Sequence, residues 1–192
     1  MILTAKKGNN DDLFRDVLEM YVQEGSIIAD VTYGRGVFWK QVDTSKYDLR
    51  TTDLMDGVDF SNLPYTSRSI DCVVLDPPYM HGGKTVKKSI NDCYKNANES
   101  HADVMRLYGR GIIEAARVLK KKGVIIIKIQ DEIESGKQKL GHVEVLNMLE
   151  IFGYLVLDLF VLVQKTMPAM RLDYQKTARK NHSYFLVARF RH

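Results

Sequence analysis

Residues 71–83 read DCVVLDPPYMHGG and combine an apolar run, an acid and two prolines. The apolar segment 73–75 is continuous, which is typical of a strand in a parallel sheet that is covered on both faces. Pro77 and Pro78 prevent the strand from continuing, because proline lacks an amide donor and fixes φ. The stretch therefore predicts that Asp76 lies on a stiff turn at the carboxyl edge of a sheet, where open α/β folds bind ligands.

The rest of the chain alternates between apolar strands and amphipathic helices. Strands are predicted at 26–31, 47–53, 58–60, 70–76, 124–131, 155–163 and 183–190, and helices at 11–25, 35–42, 101–123 and 141–154. Such alternation implies a parallel sheet with helices on both faces. We predict an α/β fold with a doubly wound, mostly parallel, Rossmann-like sheet, and an antiparallel C-terminal hairpin at one edge.

Length and composition favour one globular domain. A chain of 192 residues can build one sizeable core but hardly two, so we expect a single domain over 1–192. No run reaches the roughly 18 apolar residues of a membrane span, and the N-terminus lacks the apolar core of a signal peptide, which favours a cytoplasmic protein. The cysteines and histidines show no ligand spacing, so no metal is expected.

Four acids each end a predicted strand: Asp30, Asp53, Asp59 and Asp76. The first is followed by Gly34 and Gly36, which permit positive φ and a close approach of ligand to backbone. Asp53 follows about twenty residues later, where an acid can accept hydrogen bonds from ribose hydroxyls. Each acid alone also fits an ordinary loop residue, but together the four would converge along one crevice.

Positive charge concentrates in two segments that flank the predicted site. The net charge is only +4, yet lysines cluster after the Pro-Pro turn and basic residues recur before the last strand. Both segments are consistent either with a solvated face or with contacts to nucleic-acid phosphate. A third basic group, 120–122, fits the C-terminus of a predicted helix.

The motif at 76–79, Asp-Pro-Pro-Tyr, resembles the D-P-P-Y motif of the S-adenosylmethionine-dependent methyltransferases that modify exocyclic amino groups of nucleobases. Segment 30–38 is similar to the cofactor loop of that family, and 7–21 to the segment that precedes it. Residues 117–128 resemble the helix-to-strand step after the catalytic strand. Residues 175–190 are similar to the final hairpin of many bacterial and phage DNA methylases.

The resemblance implies S-adenosylmethionine as the cofactor. Asp53 would bind its ribose and Asp59 its adenine amino group, while the glycine loop would shape the pocket for its methionine part. Val31 and Thr32 stand where proline and phenylalanine are common in the family. The expected cofactor-binding residues are Asp30, Thr32, Gly34, Gly36, Asp53, Asp59 and Phe60.

The resemblance also assigns the catalytic residues, which are Asp76, Pro77, Pro78 and Tyr79. A nucleobase amino group is a poor nucleophile, because its lone pair is delocalised into the ring. The Asp76 carboxylate and the Pro77 carbonyl can accept its two N–H bonds and orient the lone pair, while the prolines keep these acceptors rigid. Tyr79 can stack on a base that has left the duplex.

The expected substrate is nucleic acid, with DNA preferred over RNA and adenine N6 preferred over cytosine N4. Only about twenty residues, 80–100, separate the motif from the next helix, so we expect no separate target-recognition domain and base readout by loops or by a partner. The expected nucleic-acid contacts are His81, Lys84, Lys87, Lys88, Arg179 and Lys180. His81 fits equally well as an ordinary loop residue.

Several alternatives stay open at this point. They are a tRNA or rRNA base methyltransferase, and a non-catalytic nucleic-acid-binding protein on the same scaffold. A nicotinamide oxidoreductase is disfavoured, because the loop lacks the third glycine of G-x-G-x-x-G. A homodimer or a partner that supplies specificity is compatible with the sequence.

Overall fold

The structure is a computed structural model, which describes residues 1–78, 100–165, 177–178 and 180–191. The strands are β1 Ala5–Gly8, β2 Ile27–Asp30, β3 Asp48–Thr51, β4 Ile70–Leu75, β5 Leu119–Ile129, β6 Glu132–Glu134, β7 Lys137–Lys139, β8 Tyr154–Gln164 and β9 His182–Phe190. The α-helices are α1 Asn10–Tyr21, α2 His101–Val118 and α3 Gly141–Ile151. Short 3-10 helices span Val37–Gln41, Thr44–Lys46 and Leu54–Asp56.

Seven strands form one sheet in the order β1-β8-β9-β5-β4-β2-β3, and β6 and β7 form a separate antiparallel hairpin. Strand β9 runs antiparallel to both of its neighbours, whereas every other neighbouring pair of the large sheet is parallel. The predicted α/β fold is confirmed, including the antiparallel pairing of β8 with β9. From β2 the chain passes to β3 on one side and then to β4 on the other. The carboxyl end of β2 is therefore the switch point at which open α/β sheets form a ligand-binding crevice.

Three details differ from the sequence prediction. The hairpin of β8 and β9 does not form the outer end of the sheet: β9 lies between β5 and β8, and β1 pairs with the other side of β8. Strand β1 is only four residues long and carries no apolar run. The strand predicted at 58–60 is absent from this described part of the chain, where a 3-10 helix and Gly57 with φ 80° turn the backbone instead. The helix predicted at 35–42 is a 3-10 helix of five residues.

Helix α2 also ends earlier than predicted, at Val118 instead of Gly123. Leu119 already has extended dihedral angles and pairs with Ile70 of β4. The lysines at 120–122 therefore begin β5 and do not end the helix. Three lysines fit an exposed strand start as well as a helix C-terminus, so pairing with β4 decides between the two.

The core has two layers, one on each face of the sheet. On one face α2 packs against β4 and β5 and α3 packs against β8 and β9, and on the other face α1 and the 3-10 helix Val37–Gln41 cover the sheet. Alternate residues serve the two layers: Val73 and Leu75 face α2, whereas Cys72 and Val74 face α1. Asp76 is the next position on the α1 face.

None of the described helices combines the length and the apolar character that a membrane span requires.

Candidate active site

Three neighbouring strands deliver charged side chains to the carboxyl edge of the sheet. Asp30 is the last residue of β2, Asp76 directly follows β4, and Lys128 is the penultimate residue of β5. Because parallel strands end at the same edge, the topology collects these groups at the crevice beside β2. Two of the three, Asp30 and Asp76, were predicted from the sequence.

Asp30 is buried and anchors the loop that follows β2. Its Oδ2 accepts a hydrogen bond from the indole Nε1 of Trp39 at 2.7 Å, and its Oδ1 accepts one from the amide of Thr32 at 3.1 Å. Burial raises the pKa of Asp30 to about 7, although both hydrogen bonds lower it; the charges of Asp76 and Asp53 raise it further. Asp30 therefore fixes the loop and lies in a field of negative charge.

The glycine loop needs its glycines for conformational reasons. Gly34 has φ 53° and Gly36 has φ 63°, in the left-handed region that side chains disfavour. A Cβ on Gly36 would also come within 2.6 Å of the Tyr33 hydroxyl. The amide of Gly34 donates to Oδ2 of Asp53 at 3.0 Å, which ties the loop to the end of β3.

Asp53 therefore lies beside the glycine loop, at the edge where the sequence predicted it. Its Oδ1 accepts a second backbone hydrogen bond, from Met55 at 2.9 Å, and caps the short helix Leu54–Asp56. These two bonds orient the carboxylate, and each oxygen retains a lone pair for a further donor. The contact of Asp53 with a ribose stays a prediction.

Asp59 and Phe60 lie further along the chain and differ sharply in exposure. Asp59 is exposed, accepts from the Ser61 amide at 2.8 Å and lies 3.3 Å from the Arg110 guanidinium of α2. Burial raises the pKa of Asp59, but the Ser61 hydrogen bonds and the Arg110 charge outweigh it and lower the pKa. Phe60 is buried, and its ring would lie 3.2 Å from a Cβ added at Gly111 of α2. Cofactor contacts of both residues stay predictions.

The turn after β4 holds Asp76 by its backbone and leaves its carboxylate accessible. The amide of Asp76 donates to the Thr32 hydroxyl at 2.7 Å, so a residue of the glycine loop positions the turn. Oδ1 is buried and accepts no hydrogen bond from the described residues, and Oδ2 lies 3.7 Å from Nζ of Lys128. Burial raises the pKa of Asp76, and the Lys128 charge opposes this rise. Oδ1 therefore retains acceptor capacity that no described residue uses.

Lys128 was not predicted as a site residue. Its side chain is only 4% exposed, and its Nζ lies 5.8 Å from the centroid of the Phe38 ring. A charge this deeply buried requires a partner of opposite charge. The signal was available in the sequence, since residues 124–129 read VIIIKI and place one lysine inside an apolar strand.

A second polar cluster lies at the same edge, where β5 ends and β9 begins. Oδ1 of Asp131 lies 2.6 Å from Nδ1 of His142, and its Oδ2 accepts from the Tyr184 hydroxyl at 3.3 Å. That hydroxyl lies 3.0 Å from Nε2 of His182. These contacts link α3 and β9 to the segment that follows β5. No group of His, Cys, Asp and Glu within the described ranges is arranged to hold a metal ion.

The remaining predicted residues divide into two sets. Pro77 is buried and Pro78 half-buried on the turn, and Lys180 precedes β9 at the edge of the sheet that carries Asp76. The carbonyl of Lys180 accepts from Gln130 Nε2 at 3.5 Å, beyond the end of β5. Outside the described residues lie Tyr79, His81, Lys84, Lys87, Lys88 and Arg179. All of these nucleic-acid and base contacts stay predictions.

Comparison with known proteins gives one family match. The family model described as DNA methylase, of the N6/N4 type, matches residues 70–189, which is more than half of the chain. The match begins at β4 and ends in β9, and therefore includes the Pro-Pro turn and the C-terminal hairpin. Among curated protein sequences, none matches this chain.

Solved structures share the fold at low sequence identity. The [4+2]-cyclase SpnF is 17% identical with a TM-score of 0.59, and the match covers 94% of this chain and 81% of SpnF. TrmN from Thermus thermophilus is 12% identical with a TM-score of 0.57, over 94% of this chain and 48% of TrmN. A candidate DNA modification methylase, also from Thermus thermophilus and solved with S-adenosyl-L-methionine, is 14% identical with a TM-score of 0.50, over 87% of this chain and 56% of that protein. One of the three is a cyclase, so this likeness concerns the fold alone.

Proposed function

We propose that this chain, which belongs to the family of DNA methylases, transfers a methyl group from S-adenosylmethionine to the exocyclic amino group of a nucleobase. The preferred target is adenine N6 in DNA. One observation carries the proposal. Asp76 presents a buried oxygen without a hydrogen-bond partner among the described residues, on a turn that two prolines stiffen. Such an acceptor suits a substrate that brings its own N–H donor.

The role of the turn follows from the weakness of the nucleophile. Oδ1 of Asp76 accepts one N–H of the target amine and the Pro77 carbonyl accepts the other, which directs the nitrogen lone pair out of the ring system. Thr32 fixes the Asp76 backbone, so these acceptors need little reorganisation during reaction. The charged carboxylate also stabilises the positive charge that develops on the nitrogen.

The cofactor is S-adenosylmethionine, which supplies an electrophilic methyl group on a sulfonium centre when it is bound. The residues at the crevice fit this molecule. Gly34 and Gly36 let the loop backbone approach a ligand closely, and Asp53 keeps acceptor capacity for ribose hydroxyls. The carboxylates of Asp30 and Asp53 complement a cofactor with positively charged sulfonium and ammonium groups.

Binding of nucleic acid would involve the basic segments that flank the site in the sequence. Lys180 precedes β9, and we assign phosphate contacts to it together with Arg179 and the lysines after the turn. We treat residues 1–192 as one domain without a separate target-recognition unit. Sequence readout would then come from its loops or from a partner protein.

The test is transfer of a labelled methyl group from S-adenosylmethionine to duplex DNA, single-stranded DNA and total RNA in separate reactions. The products are digested to nucleosides, and the expected label is in N6-methyldeoxyadenosine. Label in N4-methyldeoxycytidine would change the assigned base, and label in RNA alone would overturn the DNA assignment. Absence of transfer to every nucleic acid would contradict the proposed function.

A further inference from the structure

We propose that Lys128 is a positioning residue for Asp76: the Lys128 ammonium group keeps the Asp76 carboxylate ionised and leaves Oδ1 free to accept from the target amino group. The inference rests on the proposed function, because it assigns Asp76 the same role. It adds a residue that acts through Asp76 from a different strand, 52 positions later in the sequence.

The pairing of β4 with β5 places the two side chains together. The last registered pair is Leu75 with Ile127, so Asp76 and Lys128 are the next residues of the two parallel strands. Both continue the side-chain series that faces α1, and Phe38 of that face lies under the Lys128 ammonium. The contact is therefore a consequence of strand register and not of a flexible surface side chain.

The distance suits an electrostatic role. Nζ of Lys128 lies 3.7 Å from Oδ2 of Asp76, within ion-pair range but longer than the roughly 2.7–3.2 Å of an N–H···O hydrogen bond. Lys128 thus contributes charge to one carboxylate oxygen, while the other, Oδ1, has no hydrogen-bond partner among the described residues. An attraction across this distance is far stronger in a buried site than in water.

The other charges around Asp76 make this counter-charge necessary. Among the described residues, the ionisable groups that interact with Asp76 are Asp30 from β2 and Lys128 from β5. From the 3-10 helix, Trp39 contacts Asp30 and the Phe38 ring lies near Lys128. Burial favours the protonated form of Asp76, and the negative charge of Asp30 acts in the same direction. Lys128 opposes both effects and is the only cation paired with Asp76 in the described ranges.

Ionisation matters because the proposed reaction needs a strong acceptor. Hydrogen bonds to a charged carboxylate are roughly twice as strong as those between neutral groups. A protonated Asp76 would also carry a hydroxyl hydrogen that could face the amine and misdirect it. Without Lys128, the reactive form of the site would exist only at higher pH.

The experiment compares Lys128→Met with Lys120→Met. Lys120 lies on the same strand and pairs with an aspartate of the same partner strand, Asp71, but at the opposite edge of the sheet. Single-turnover methyl transfer is measured from about pH 6 to 9 with saturating cofactor. For Lys128→Met we expect a loss of about tenfold to a hundredfold at neutral pH, an acid limb moved to higher pH and partial recovery in alkali. Lys120→Met should keep the wild-type rate and profile.

Two further variants separate this role from a structural one. Lys128→Arg keeps the charge and should keep the acid limb near its wild-type position. In an Asp76→Asn background, Lys128→Met should produce no shift of the profile, since the group that titrates is gone. An unchanged profile in Lys128→Met, or an equal loss at every pH, would overturn the inference. If Lys128→Met does not fold, Lys128→Gln takes its place in the same comparison.

Failure of the inference is distinguishable from failure of the proposed function. If the wild type methylates no nucleic acid, the proposed function fails, while the Asp76 carboxyl can still be titrated by carbon-13 NMR in the folded protein. The inference then requires the titration midpoint of the Asp76 carboxyl to move to higher pH in Lys128→Met and to stay in place in Lys120→Met. An unmoved midpoint in both variants would overturn it.

Discussion

Strands β4 and β5 carry two aspartate–lysine pairs, one at each edge of the sheet. At the edge where β4 begins, Asp71 and Lys120 lie 2.8 Å apart with side chains 33% and 40% exposed. At the carboxyl edge, Asp76 and Lys128 lie 3.7 Å apart with side chains 22% and 4% exposed. The residue types and the strands are the same, yet hydrogen bonding and burial differ.

The two pairs also differ in the hydrogen bonds that their carboxylates accept. Asp71 Oδ2 accepts from the Ile27 amide of β2 at 3.0 Å as well as from Lys120, and neither oxygen of Asp71 is both buried and unpaired. Asp76 has a buried Oδ1 that no described residue pairs. An unpaired buried acceptor costs about 1–3 kcal/mol, which a folded protein tolerates where a ligand later supplies the donor.

The largest predicted difference in methyl transfer is between substitutions of Asp76 and of Asp71. Asp76→Asn keeps one acceptor oxygen but removes the charge and introduces N–H donors, so methyl transfer should fall by about 10²–10³ or more. Asp71→Asn should transfer at nearly the wild-type rate. Single-turnover transfer of labelled methyl measures both, with circular dichroism and cofactor affinity as controls of folding. Equal rates for the two variants would erase the distinction between the edges and refute the assignment of Asp76.

The two ends of β3 offer the next contrast. Asp53→Ala should weaken S-adenosylmethionine binding by about 1–3 kcal/mol, because it removes carboxylate hydrogen bonds to the ribose and releases the Gly34 amide. Asp48 begins the same strand, is exposed and pairs with Arg50 at 2.8 Å. Asp48→Ala should leave cofactor affinity unchanged. Titration calorimetry measures both variants, and equal weakening in the two would show that Asp53 acts through general charge and not through contact.

The site residues that could be predicted from the sequence are those whose local conformation is specified by their neighbours in the chain. The acid before two prolines and the two glycines after β2 specify their turns locally, and the structure has φ 53° and 63° at Gly34 and Gly36. Lys128 was missed because its meaning depends on register with another strand. The predicted end of α2 was wrong for a similar reason, because the pairing of Leu119 with Ile70 places in a strand a segment whose sequence pattern also fits a helix.

Thr32 lies between these cases. It was predicted in the cofactor loop from its position, but its hydroxyl accepts from the amide of Asp76, which is 44 residues away. Sequence spacing cannot reveal such a bond, because it forms only when β2 and β4 are adjacent. A hydroxyl of the glycine loop therefore connects the two halves of the site, whereas at the opposite edge the Asp71 carboxylate itself accepts from the Ile27 amide.

The hydrogen bond from the Asp76 amide to the Thr32 hydroxyl predicts an effect of intermediate size on methyl transfer. Thr32→Val removes the acceptor for the Asp76 amide, so the turn should lose its fixed position and methyl transfer should fall by about tenfold. Thr32→Ser keeps the hydroxyl and should stay within about twofold of the wild type. The kcat and the KM for nucleic acid, measured at saturating cofactor, separate a displaced turn from lost cofactor binding. A Thr32→Ser rate as low as that of Thr32→Val would assign the effect to the methyl group and not to the hydrogen bond.

The smallest expected effect concerns the basic residues at each edge. Replacing Arg179 and Lys180 together with Ala should weaken nucleic-acid binding similarly for all sequences, and should reduce the slope of log affinity against log salt by about 1–2. The matched control replaces Lys121 and Arg191, which are exposed at the opposite edge, where β5 begins and β9 ends. Both double variants lose two positive charges, so a general effect of net charge would change both slopes equally. A change confined to the Arg179 and Lys180 variant, with cofactor affinity retained, would assign phosphate contacts to these two residues. Equal slopes in both double variants would show that Arg179 and Lys180 are ordinary solvated residues.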